Sequence, residues 1–161
     1  MSTTARVTDA QWLTRAVRLA TDSVACGGGP FGALIVRGED VLATGTNQVT
    51  TSQDPTAHAE IVAIRAACRR LGDFRLSGCV LVSSCEPCPM CLAAGLWARV
   101  DRVIFAAGRD DAASAGFDDR AFYDLFERPR GEWPVAVAHV SVGDRNRPFT
   151  DWLARPDRVE Y

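Results

Sequence analysis

Four side chains in this sequence can together hold a metal ion and move protons beside it. They are His58 and Glu60 in His58-Ala59-Glu60, and Cys88 and Cys91 in Pro87-Cys88-Pro89-Met90-Cys91. A hydrolytic zinc centre takes three protein ligands and keeps a fourth position for water, and one imidazole with two thiolates fills three tetrahedral corners. Two thiolates neutralise the ion's formal charge, so acidifying the water needs help from a nearby base. Glu60 supplies that base as a proton shuttle and not as a ligand. Cys88 and Cys91 stand at i and i+3, which in the first turn of a helix turns both sulfurs one way, where unpaired N–H groups and the dipole favour thiolate. His58 and Glu60 stand at i and i+2 and share no face in mid-helix, so this reading requires them at a helix start.

Competing readings of the same residues have distinct requirements. Cys85, Cys88, Cys91 and His58 would close a structural Cys3His site with no open position. Cys85-x-x-Cys88-x-x-Cys91 also copies the first three ligands of a ferredoxin run, but position 95 is Gly95 where the fourth cysteine belongs. Gly27-x-Gly29-x-x-Gly32 satisfies a dinucleotide fingerprint by spelling alone; it follows a helix and precedes a strand, the reverse of what phosphate binding needs, and reads as a loop. Cys26, Cys68 and Cys79 lie in or beside apolar segments and read as small buried side chains, and His139 as an ordinary strand residue.

The elements that position these residues follow from periodicity. Thr8 and Gln11 form a capping box, and Leu13, Ala16, Val17, Ala20 and Val24 continue at helical spacing up to Gly27-Gly28-Gly29-Pro30. Residues 32–37 and 41–46 are apolar, β-branched runs around Gly38-Glu39-Asp40 and read as a hairpin. A second helix opens at Pro55-Thr56, carries Ile61, Ile64, Ala67, Cys68 and Leu71 inward and closes at Gly72. A strand over 79–83 leads into the cysteine motif and an Ala/Leu-rich helix to about Arg99. Residues 102–106 read as a strand, 118–127 as a helix and 135–142 as a fifth strand. The predicted fold is α/β, a three-layer α/β/α sandwich over a mixed five-stranded sheet, with the metal ligands at element junctions.

Composition narrows the chemistry further. The chain has 161 residues, 47% hydrophobic and 24% charged, the profile of one globular domain able to bury a core without disulfide staples. The polar start of the chain carries no apolar signal segment, and no run approaches a membrane span, so a cytoplasmic protein with reduced thiols is expected. The formal net charge of −2 offers no overall attraction to a phosphate backbone, which counts against a nucleic-acid partner and suits a small neutral substrate. Every basic residue is Arg, which removes a lysine Schiff base and the P-loop lysine.

The H-x-E…P-C-x-x-C pattern is the general signature of zinc nucleobase deaminases. More specifically, the sequence resembles the bacterial guanine deaminases of the cytidine-deaminase-like superfamily. The likeness runs from about Gly28 to the C-terminus through Pro30-Phe31-Gly32-Ala33, Asp54-Pro55-Thr56-Ala57-His58-Ala59-Glu60, Ser84-Cys85-Glu86-Pro87-Cys88-Pro89-Met90-Cys91 and Asp111-Ala112-Ala113-Ser114-Ala115-Gly116-Phe117-Asp118-Asp119. It implies one Zn2+ per chain on His58, Cys88 and Cys91, and hydrolysis of guanine to xanthine and ammonia. It further implies Asn47 and the Ala59 backbone as polar contacts to the base, Phe31, Trp97 and Phe117 as apolar walls, and Asp119 as a second proton-handling carboxylate beside Glu60. It also implies a homodimer in which the segment from about 145 to 161 is exchanged, so that Tyr161 closes the partner's site. Cytosine, aza-cytosine or amino-triazine rings remain the alternative substrates, followed by a tRNA adenosine and by a non-catalytic structural-zinc module.

Overall fold

The computed structural model describes residues 6–117 and 119–161; residues 1–5 and Asp118 lie outside the described residues, and with them the very start of the chain and the first residue of the expected 118–127 helix. The chain divides into two compact units, one through Asp124 and one spanning Leu125–Tyr161.

In the first unit α1 (Asp9–Ala25) opens on the expected capping box: the Thr8 hydroxyl accepts the Gln11 N–H, and the Gln11 side chain accepts the Thr8 N–H. β1 (Gly32–Arg37) and β2 (Asp40–Thr46) pair antiparallel around a two-residue turn whose Gly38 has φ +58°. A short α2 (Val49–Ser52) precedes α3 (Ala59–Leu71), and β3 (Val80–Cys85), α4 (Pro89–Trp97) and β4 (Arg102–Ala107) follow. The sheet order is β2-β1-β3-β4, antiparallel at β1–β3 and parallel at β3–β4, the latter joined through α4. The sheet is mixed, as expected, but has four strands among the described residues, not five.

Alternation along β1 builds the three layers. Ala33 and Ile35 pack with Ala59, Ala63 and Ala67 of α3, while Leu34 and Val36 pack with Trp12 and Ala16 of α1 on the opposite face. Two glycines let the helices lie close on the sheet. A Cβ at Gly45 would stand 2.1 Å from the Ala59 carbonyl oxygen, and one at Gly32 would stand 2.6 Å from that of Ala16. The first of these contacts is at the turn of α3 that carries the candidate histidine and glutamate. β4 leads through Gly108 into α5 (Arg109–Ser114), a helix the periodicity did not reveal, and α6 (Asp119–Phe126).

The second unit holds a 3-10 turn at Arg130–Glu132 and α7 (Arg147–Leu153). Phe126 and Trp133 meet edge to face at 5.4 Å, and the Trp133 indole N–H donates to the Arg128 carbonyl. Residues 135–142 form no strand, and His139 is an exposed residue outside any strand, which corrects the fifth-strand expectation. The β-branched pattern is present, but a strand exists only where backbone groups find a ladder partner; Val135, Val137, Val140 and Val142 are all at least half exposed.

Candidate active site

The placement of His58 is decided by the residues before it. The Asp54 carboxylate accepts both the N–H and the hydroxyl of Thr56, at 2.8 and 2.6 Å, closing a tight turn where the sequence had suggested a helix start at Pro55-Thr56. His58 then stands in extended conformation as the N-cap of α3, its side chain making no capping bond, with Glu60 in the first turn. The helix start that the i, i+2 spacing demanded is therefore present.

Cys88 is likewise the extended N-cap of its helix, Pro89 follows at the position where a missing N–H is harmless, and Cys91 lies in the first turn. The His58 Nδ1 is 3.6 Å from the Cys88 Sγ and 3.5 Å from the Cys91 Sγ, and the three donor atoms lie within 4.8 Å of one another. Zinc bonds of ~2.3 Å to sulfur and ~2.0–2.1 Å to nitrogen at a tetrahedral angle separate N from S by about 3.6 Å. The donor set thus fits a zinc ion. Without one, the three groups share protons: hydrogen bonds from Cys91 and His58 hold the Cys88 thiol down to about 4, and the same contact with burial pushes Cys91 above the ordinary thiol range. The contact with Cys88 also raises the His58 imidazole.

Cys85 stands apart from this group. Its Sγ lies 3.6 Å from the Gly108 carbonyl and is not part of the donor group formed by His58, Cys88 and Cys91, which leaves a fourth metal position open. The closed Cys3His reading lacks its fourth ligand. Among the remaining cysteines Cys79 is buried, Cys68 is half-buried, and Cys26, at the end of α1, is exposed where a buried side chain was expected.

Glu60 is buried, and its Oε1 accepts a 2.8 Å hydrogen bond from the Ser83 hydroxyl on β3. Burial raises its carboxyl above the usual carboxylate range, partly offset by Ser83. A cavity of about 470 Å³ opens over these groups, with His58, Glu60 and Cys88 at its floor and Asn47, Asp119, Phe31 and Phe117 in its walls. Phe31 and Phe117 meet edge to face at 4.8 Å. The Asn47 Oδ1 accepts the Val49 N–H, which turns the NH2 end of the amide into a donor for a ligand. The glycine loop Gly27–Gly29 lines the same cavity as a helix-to-strand connection, and a Cβ at Gly29 would meet the Asn47 side chain at 3.0 Å.

The remaining expected residues are placed less uniformly. Ala59 is buried at the first turn of α3, where helix N–H groups lack intrahelical acceptors. Trp97, at the last turn of α4, is 60% exposed beneath the Arg99 guanidinium and is not among the residues that line the cavity. Tyr161 belongs to the second unit, where its ring packs edge-on against Trp152. Sequence reasoning missed Ser83, Glu86 and Phe122. Phe122 and Glu86 line the cavity, and Glu86, inside the cysteine motif, was readable as an acidic residue two positions before a ligand.

A mixed sheet sandwiched between helices, with three donors spaced for a zinc ion and a buried carboxylate at the helix starts, is an arrangement that suits a zinc-dependent hydrolase. Residues 6–107 match the family described as the cytidine and deoxycytidylate deaminase zinc-binding region, and the chain belongs to that family. It is 48% identical over 151 residues to the guanine deaminase of Bacillus subtilis (strain 168), covering 93% of this chain and 97% of that one. A solved structure of guanine deaminase from Bacillus subtilis superposes with a TM-score of 0.92 at 47% identity, covering 96% and 99% of the two chains. The tRNA-specific adenosine deaminase of Buchnera aphidicola subsp. Schizaphis graminum is 35% identical over 73% of this chain and 78% of its own. No helix among the described residues is long and apolar enough to cross a membrane.

Proposed function

We propose that the protein hydrolyses guanine to xanthine and ammonia in the cytoplasm, with one zinc ion per chain on His58, Cys88 and Cys91. The observation that carries the reading is the donor triad and buried Glu60 at the floor of a cavity walled by Phe31 and Phe117, in a chain that matches a guanine deaminase over nearly its full length.

Zinc, when bound, supplies a Lewis acid that brings the pKa of a water towards neutrality. Glu60, oriented by Ser83, takes the proton of the attacking water as its oxygen adds to C2 of the base. Its raised affinity for protons suits it to hold that proton and return it to the adjacent ring nitrogen. Asp119 or Glu60 then takes the proton of the new C2 hydroxyl and passes it to the amino group; the C2–N bond breaks, ammonia leaves and the C2 carbonyl of xanthine forms. Asn47 and the Ala59 backbone hydrogen-bond the base, and the Phe31–Phe117 pair presents ring edges and faces to a flat heterocycle. Trp97 and Tyr161, 60% and 72% exposed on the single chain, complete the walls in a homodimer that exchanges the segment from about 145 to 161.

The test is ammonia release by the zinc-loaded protein against guanine, guanosine, cytosine, 5-azacytosine, ammeline, adenine and tRNA in parallel. Preference for guanine supports the reading; preference for another ring keeps the zinc chemistry and removes guanine as substrate.

A further inference from the structure

Next to the metal loop lies a linked set of side chains that the reaction above does not use. Arg109, the first residue of α5, grips Glu86 from three directions: its Nε and its backbone N–H donate to Oε2 at 3.1 and 3.2 Å, and a terminal guanidinium nitrogen donates to Oε1. The guanidinium also lies over the Tyr123 ring of α6, 3.9 Å from its centroid. The Tyr123 hydroxyl donates to the Pro87 carbonyl at 2.7 Å, and the Glu86 N–H donates to Ala107 at 2.8 Å. The circuit closes on itself, because Pro87 joins Glu86 to the ligand Cys88.

α6 has reason to need such a brace. None of its described residues is buried within the single chain, so side-chain polar contacts carry much of its placement there. Asp119, Phe122 and Tyr123 stand at i, i+3 and i+4 and are neighbours on one helix surface, and Asp119 and Phe122 line the cavity. Holding Tyr123 against Pro87 and Arg109 therefore holds Asp119 at a set height above the metal ligands. We infer that Arg109 is a positioning residue, which sets Asp119 for proton delivery by clamping Glu86 of the metal loop to Tyr123 of α6. The inference rests on the role proposed for Asp119 above. Only arginine serves, because the contact uses both the forked edge and the flat face of a guanidinium.

A mutant cycle tests it: Arg109→Ala, Asp119→Asn and the double variant, with Arg109→Lys and Tyr123→Phe as milder changes. Arg109→Ala should keep its zinc and lose about tenfold or more in kcat with a smaller change in KM, as a misplaced proton donor does. Arg109→Lys should recover only part of the loss, and Tyr123→Phe should lose less than Arg109→Ala. In the Asp119→Asn background the Arg109→Ala change should cost nothing further in kcat. Hydrogen exchange over residues 119–124 should accelerate in Arg109→Ala. Multiplying losses in the double variant, loss of zinc from Arg109→Ala, or unchanged exchange over 119–124 each overturns the inference. A wild-type protein that prefers another base removes the guanine reading alone, since the cycle runs equally on that base and the exchange measurement needs no substrate.

Discussion

The Ser83 hydroxyl and the Glu60 carboxylate, joined at 2.8 Å, connect the end of β3 to the first turn of α3 inside the buried floor of the site. The role proposed for Glu60 needs one rotamer that faces the reacting water, and this bond favours a single rotamer. Ser83→Ala should retain zinc and lower kcat about tenfold, the scale of one hydrogen bond to a charged group. Steady-state kinetics with metal analysis checks this, and an unchanged kcat would show that packing alone orients Glu60.

Glu60 also sets a stability cost. Burial places its carboxyl above the ordinary range, so the folded state binds the proton more tightly than the unfolded one. The ionised form therefore destabilises the fold increasingly as pH rises from the unfolded towards the folded pKa. Glu60→Gln removes that cost while keeping an acceptor for Ser83. The metal-free variant should melt higher than metal-free wild type at neutral pH, by about 2–4 °C for each kcal/mol relieved. A lower melting temperature would contradict the burial argument.

Zinc binding should depend steeply on pH. Contact with Cys88 raises the affinity of both Cys91 and His58 for protons, and the metal takes both groups deprotonated. Each displaced proton weakens binding about tenfold per unit fall in pH, so the loss between pH 6 and 5 should be on the order of 100-fold. Chelator competition across that range measures it; an affinity independent of pH would contradict the shared-proton picture.

Close packing of α3 on the sheet gives a prediction away from the chemistry. A methyl at Gly45 meets the Ala59 carbonyl at 2.1 Å and the Ala63 N–H nitrogen at 2.7 Å, both backbone atoms that cannot swing aside. Gly45→Ala should cost about 1–3 kcal/mol and weaken zinc binding by displacing His58. Denaturant unfolding and zinc titration read the two effects, and wild-type values for both would show that α3 rides freely over β2.

The candidate metal site was legible because its residues are local in sequence: His58 and Glu60 flank one helix start, and Cys88 and Cys91 the next. The four paired strands were legible for a similar reason, since each is a short apolar, β-branched run, and β1 is buried along nearly its whole length. The 135–142 run shows the limit. Its β-branched pattern records a preference, while a strand also needs a ladder partner that one chain's pattern does not specify. α5 and α7 were missed because six and seven residues carry too little periodicity. Ser83 escaped notice because its partner, Glu60, lies twenty-three positions away and only folding brings them together.

The most direct measurement of the central claim is product formation from guanine by zinc-loaded wild type and Glu60→Gln, with xanthine, ammonia and bound zinc followed in the same samples. Wild type should release xanthine and ammonia in equal amounts, and Glu60→Gln should keep its zinc and form neither. A Glu60→Gln variant that turns guanine over at the wild-type rate would contradict the role given to Glu60, and a zinc-loaded wild type inert towards guanine would contradict the proposed reaction itself.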